Sequence, residues 1–95
     1  MRVEVQFNDY ANCGAVRVAR VERASLLECL KVIADNTALY IDSEEIEEEG
    51  WTAEQVLTEI DGSNGDGCDY IEYIKDLDKD EYIFAAMLNP EIEEW

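Results

Sequence analysis

Histidine is absent from this 95-residue chain, and lysine and arginine together number only seven. The first absence excludes histidine acid–base relays and histidine metal sites. The second excludes direct binding of DNA, RNA or anionic lipid through the chain's own cations, because neutralising phosphates takes clustered Lys and Arg. No run approaches the ~20 apolar residues of a membrane-spanning helix, so no membrane partner is expected. Arg2, Glu4 and Asp9 interrupt the first ten residues, which do not read as a secretory leader. Cys13, Cys29 and Cys68 are odd in number and form no C-x-x-C pair. They read as reduced thiols of a cytoplasmic protein. Proline occurs once, as Pro90, where regular structure is expected to end.

What is present is apolar residue and carboxylate. Hydrophobic residues make up 47% of the chain, ordinary for a globular fold and too many for a disordered acidic tail. A chain of this length has room for one core, so residues 1–95 are expected to form a single domain. The 24 Asp and Glu against 7 Lys and Arg leave a net charge of −17. Residues 1–31 carry five basic and four acidic groups, a net +1; residues 32–95 carry two basic and twenty acidic, a net −18. All the excess lies in the last two-thirds.

Val3, Val5 and Phe7 alternate with polar residues and predict a half-buried strand. Residues 8–14 are turn-rich, and Val16 and Val18 about Arg17 predict a second strand and a hairpin. Ser25 and Glu28 form an S-x-x-E capping box ahead of the stripe Leu26, Leu30, Ile33, with Asn36 as a left-handed stop. Residues 38–41 read as a short third strand. In 42–49, six of eight residues are carboxylates and Ile46 is the one large apolar side chain; Ser43 is placed to cap a single helical turn there, and Gly50 to break it. Thr52 and Gln55 make a second capping box, with Trp51 and Val56 as its hydrophobic staple. Ala53, Val56, Leu57 and Ile60 put one apolar face on that helix, and 61–69 reads as a Gly/Asp loop. Residues 70–74 and 82–88 predict two strands joined through the acidic turn 76–81. The expectation is an α+β domain: an antiparallel sheet with order ββαβαββ and two short helices packed on it. The leading hairpin and helix resemble the start of a β-grasp fold; the second capped helix argues against a transferable ubiquitin-like modifier.

The loop 61–69 fails as an EF-hand in both registers. Starting at Asp61 puts Asp66 where the sharp turn requires Gly; sliding by one leaves Gly62 and Tyr73 as end ligands. A mobile helix-to-strand connection is the plainer reading. Carboxylates are too many to single out an acid–base pair, and without histidine no cysteine nucleophile has its usual activating base. Cys29 reads as core. No P-loop, dinucleotide fingerprint or zinc pattern occurs. Neither an enzyme nor a cofactor or metal is expected.

The segregated charge is expected to form a surface that meets a cationic protein partner. Duplex DNA carries one negative charge per ~1.7 Å of axis, a density that carboxylates on a helix or strand approximate. The contact candidates are Asp42, Glu44, Glu45, Glu47, Glu48 and Glu49, then Asp76, Asp78, Asp80 and Glu81 in the turn. The tail adds Glu91, Glu93 and Glu94, with Trp95 as an aromatic anchor or a residue folded back on the sheet. In size, acidity and lack of catalytic apparatus, carried by these carboxylates, the chain resembles small phage-encoded anti-CRISPR and anti-restriction proteins that imitate nucleic acid. That resemblance implies an inhibitor of a Cas effector or another DNA-handling host enzyme. The alternatives are an immunity protein that neutralises a cationic toxin or nuclease, and an acidic or halophilic housekeeping domain.

Overall fold

The computed structural model describes residues 1–9, 15–37, 41–63 and 69–85. They form β1 (Arg2–Asp9), β2 (Ala15–Glu22), α1 (Leu26–Asp35), α2 (Ser43–Glu49), α3 (Ala53–Ser63), β3 (Asp69–Asp76) and β4 (Glu81–Ala85). The class is the α+β fold the sequence predicts, with one antiparallel sheet in the order β2-β1-β3-β4. The order ββαβαββ is corrected to ββαααββ among the described residues. Ile41 belongs to no strand and is buried as part of the core; 38–40 lie outside the described residues.

The extra helix is α2, which runs seven residues where a single turn was expected. Its cap is Asp42, one residue before Ser43, and the Asp42 side chain accepts from the Glu45 N–H at 2.8 Å. The Ser43 N–H donates instead to the Asp35 carboxylate at 2.8 Å, tying the start of α2 to the end of α1. Gly50 closes the helix at φ 66°, a left-handed conformation that glycine adopts without a Cβ penalty. Two other helix ends differ from expectation. Asn36 stops α1 at φ −108°, not in the left-handed region, by returning its side-chain amide to the Val32 carbonyl at 2.8 Å. Helix α3 continues past Ile60 to Ser63, so part of the expected Gly/Asp loop is helix.

The two capping boxes behave differently. Thr52 and Gln55 complete theirs: the Gln55 N–H donates to Thr52 Oγ1 at 3.2 Å, and the Thr52 N–H to Gln55 Oε1 at 2.8 Å. At Ser25 the hydroxyl accepts from the Glu28 N–H at 3.3 Å, but the Glu28 carboxylate turns to Lys31.

Val3, Val5 and Phe7 of β1 point into the core beneath the helices, joined by Ile71 and Ile74 of β3. Those isoleucines are three apart, out of phase with a regular strand. The pairing passes from Gln6↔Tyr73 to Phe7↔Ile71, a bulge that inserts Glu72 as the extra residue of β3 and brings both isoleucines onto one face. From the helices come Cys29, Leu30, Ile33, Ile46, Val56 and Ile60, all buried. Cys29 is core as expected, and burial pushes its thiol pKa up. Cys13 and Cys68 lie outside the described residues.

Loss of a helix cap costs about 1 kcal/mol. Thr52→Ala is expected to lower stability by about that amount, and Asp42→Ala likewise. Asp42→Asn keeps the capping oxygen and is expected to be near neutral. Urea unfolding of the three variants checks this; equal losses for both Asp42 variants would mean that charge, not the cap, matters there.

Candidate partner-binding surface

On α2, Ile46 is 1% exposed and holds the helix to the core, while Glu44, Glu47, Glu48 and Glu49 face solvent and Glu45 is half-buried. Asp42, Glu44, Glu45 and Glu48 line a shallow concavity of about 350 Å³. The nearest cation in the described structure is Lys31 of α1, whose Nζ donates to Glu47 at 3.2 Å and to Glu28 at 3.3 Å. The Glu47 hydrogen bond is the larger influence, and both raise the Lys31 pKa. Asp35 is held low by the Ser43 backbone N–H and then by its hydroxyl. Residues 41–63 contain nine carboxylates and no Lys or Arg. Of the six candidates in 42–49, the structure therefore gathers all on one short helix and its cap, with Glu47 already partnered.

The turn between β3 and β4 is different. Asp76 is 7% exposed, and its Oδ1 accepts from the backbone N–H groups of Asp78 (2.9 Å) and Lys79 (3.1 Å). Its assignment to the contact surface is corrected: the carboxylate shapes the turn from inside. Asp78 accepts from the Arg2 backbone N–H at 3.0 Å and from Arg2 Nε at 3.1 Å, which hold its pKa below the usual carboxylate value. Asp80, at φ 57°, pairs with Lys75 at 2.9 Å and is lowered by it. Glu81 is exposed. The tail candidates Glu91, Glu93, Glu94 and Trp95 lie outside the described residues.

The sheet face turned away from the helices was not foreseen. Val16 and Val18 lie on it, 60% and 52% exposed, while Ala19 and Val21 of the same strand pack against the core. Period-2 alternation marks both pairs equally, so pattern alone does not say which is inward. Across this face Tyr73 Oη donates to Glu4 Oε2 at 2.7 Å, and Arg20 Nε meets Glu4 Oε1 at 3.1 Å. Tyr73 and Tyr82 meet edge to face at 5.4 Å across the β3–β4 pair. Lys75 Nζ sits 5.4 Å from the centre of the Tyr82 ring.

Among the described residues no three His, Cys, Asp or Glu converge on a metal site, and no helix is long and apolar enough to cross a membrane. No protein-family model, curated protein or solved structure matches the chain.

The Glu4–Tyr73 bond gives a pH prediction. Hydrogen bonding to Glu4 pushes the Tyr73 pKa up to about 12, and Tyr73 in turn lowers that of Glu4. A folded-state value above the ordinary ~10 means the bond's contribution is whole below that pH and lost as pH climbs through about 12. The stability difference between wild type and Tyr73→Phe is expected to shrink across that window. Denaturant unfolding at stepped alkaline pH, with tyrosinate absorbance alongside, checks it; a constant difference would refute the coupling.

Proposed function

We propose that this chain is a non-catalytic inhibitor whose acidic helix occupies a basic, nucleic-acid-binding surface of a partner protein, a Cas effector being the leading candidate. The observation that carries the reading is α2: five glutamates on seven helical residues, with one of them paired to a described cation. Seven residues at ~1.5 Å rise span ~10 Å. Duplex DNA presents about six charges over the same length. The two densities are close enough for one groove to accept either. The surrounding sequence favours this use: the Arg2–Asp78, Arg20–Glu4 and Lys75–Asp80 pairs compensate charge near the sheet, while the α2 and α3 segments carry carboxylates alone.

Such a contact is distributed. An exposed ion pair contributes only ~0.2 to 1 kcal/mol, so Glu45→Gln or Glu48→Gln alone is expected to weaken the complex by less than about fivefold. Neutralising Glu44, Glu45, Glu47, Glu48 and Glu49 together is expected to slow association and flatten its salt dependence, with the fold retained. Affinity capture from a CRISPR-bearing bacterial lysate supplies the partner. Stopped-flow binding and competition with its nucleic acid then read the effect. A five-fold variant that competes as well as wild type at every salt concentration would overturn the proposal.

A further inference from the structure

Immediately beyond α2, on the outward face of α3, lies a second feature. Trp51, Thr52, Glu54, Gln55, Thr58 and Glu59 line an open groove of about 350 Å³. Glu54, Gln55, Thr58 and Glu59 lie on the side of α3 away from Val56 and Ile60, which are fully buried, and Trp51 and Thr52 immediately precede the helix. Trp51 is half-buried: it packs against the core and also lines the groove. Its position is fixed twice, by its N–H donating to the Ile46 carbonyl at 3.1 Å and by the complete Thr52–Gln55 box that follows. Glu54 is exposed, and among the described residues no Lys or Arg lines the groove.

We propose that this groove is a docking site for an arginine side chain of a cationic partner, with the guanidinium against the Trp51 indole and its charge met by Glu54. The chemistry selects the occupant. Tryptophan offers the best aromatic face for a cation. A guanidinium is planar, stacks on aromatics and is more weakly hydrated than an ammonium, so it loses less on leaving water. The carboxylates exclude an anion, and the bound Thr52 and Gln55 side chains make a fixed rather than yielding wall. Rigid aromatic anchors are the usual centres of protein interfaces. The inference rests on the proposed function for its partner, but the groove can be probed without one.

The probe is tetra-arginine amide, compared with tetra-lysine amide of equal charge. In a Trp95→Phe background Trp51 is the one tryptophan, so its fluorescence and indole N–H resonance report the groove. Tetra-arginine is expected to shift that resonance. Trp51→Leu, which removes that reporter and is therefore read by titration calorimetry, is expected to weaken arginine binding about two- to fivefold with little change for lysine. Because Trp51→Leu can also loosen the α3 start, Glu54→Gln on an intact Trp51 forms a second arm, expected to weaken arginine binding by about two- to fivefold. An unmoved Trp51 resonance, or equal affinity for the two peptides, overturns the inference while leaving the proposed function to stand on α2. If Trp51 responds to arginine while the five-fold α2 variant inhibits normally, the groove is confirmed and the acidic-helix reading fails instead.

Discussion

Strand β1 is hydrogen-bonded on both sides, to β2 and to β3, and its inward side chains Val3, Val5 and Phe7 are almost wholly buried. Every other layer depends on that line. Helix α1 lays Leu30 and Ile33 over it, and the bulge at Glu72 exists so that Ile71 and Ile74 can reach it in phase. Burying a side chain of this size contributes roughly 1.5–3 kcal/mol, so the sheet and α1 hold most of the stabilising surface. They also hold most of the cations. Arg2, Arg20 and Lys75 all sit on strands and all pair with carboxylates of the same sheet or its turn. The asymmetry along the sequence thus becomes an asymmetry in space: the sheet pairs its own cations with carboxylates, while α2 and α3 contain no Lys or Arg and borrow only Lys31 of α1.

Helix α2 exists only because of that platform. Seven residues are too few for a helix to persist alone in water, and five neighbouring glutamates repel one another along it. What holds it is local and countable: Ile46 in the core, the Asp42 cap, the Ser43–Asp35 bond, the Lys31–Glu47 contact and the left-handed Gly50. Acidic residues in its first turn also suit the positive end of the helix dipole, whereas Glu47, Glu48 and Glu49 at the other end do not. Their placement against the dipole is a cost in stability. For Glu47 the Lys31 contact offsets part of that cost; for Glu48 and Glu49 no ion pair among the described residues does.

The parts of this architecture that were legible in the sequence are those with local causes. The β1 alternation, the Ser25 and Thr52 caps, the Gly50 break and the α+β class all follow from residues within one or two turns of each other. The parts that were not legible depend on distant partners. The Asp78 carboxylate is bound by Arg2, 76 residues away in sequence, so a charge count offers it as free surface when it is a tie between strands. Asp76 looks like any other acid of the run until its turn closes around it. The bulge at Glu72 and the inward side of β2 are set by pairing, which a single strand's pattern does not contain. Among the candidate contact residues, the outward facing of most of 42–49 was legible because six carboxylates around one isoleucine leave a short helix few ways to face, while the helix's length and its Asp42 cap were not.

On the proposed function, pre-organisation links this anatomy to binding. A mimic of a rigid polyanion gains little from carboxylates on a loose chain, because each side chain and backbone segment ordered on association subtracts from the affinity. Anchoring α2 through Ile46 and its caps places the backbone of the acidic run before any partner arrives, leaving only the side-chain rotamers to settle. The self-repulsion stored along the helix in the free chain is relieved when cations approach, so part of the folding cost returns as binding energy. Both effects require the acidic helix to be stabilised from beneath and by apolar contact, since neutralising it with further lysines would cancel the field it presents. A single buried isoleucine under five glutamates meets that requirement with the fewest compensating charges.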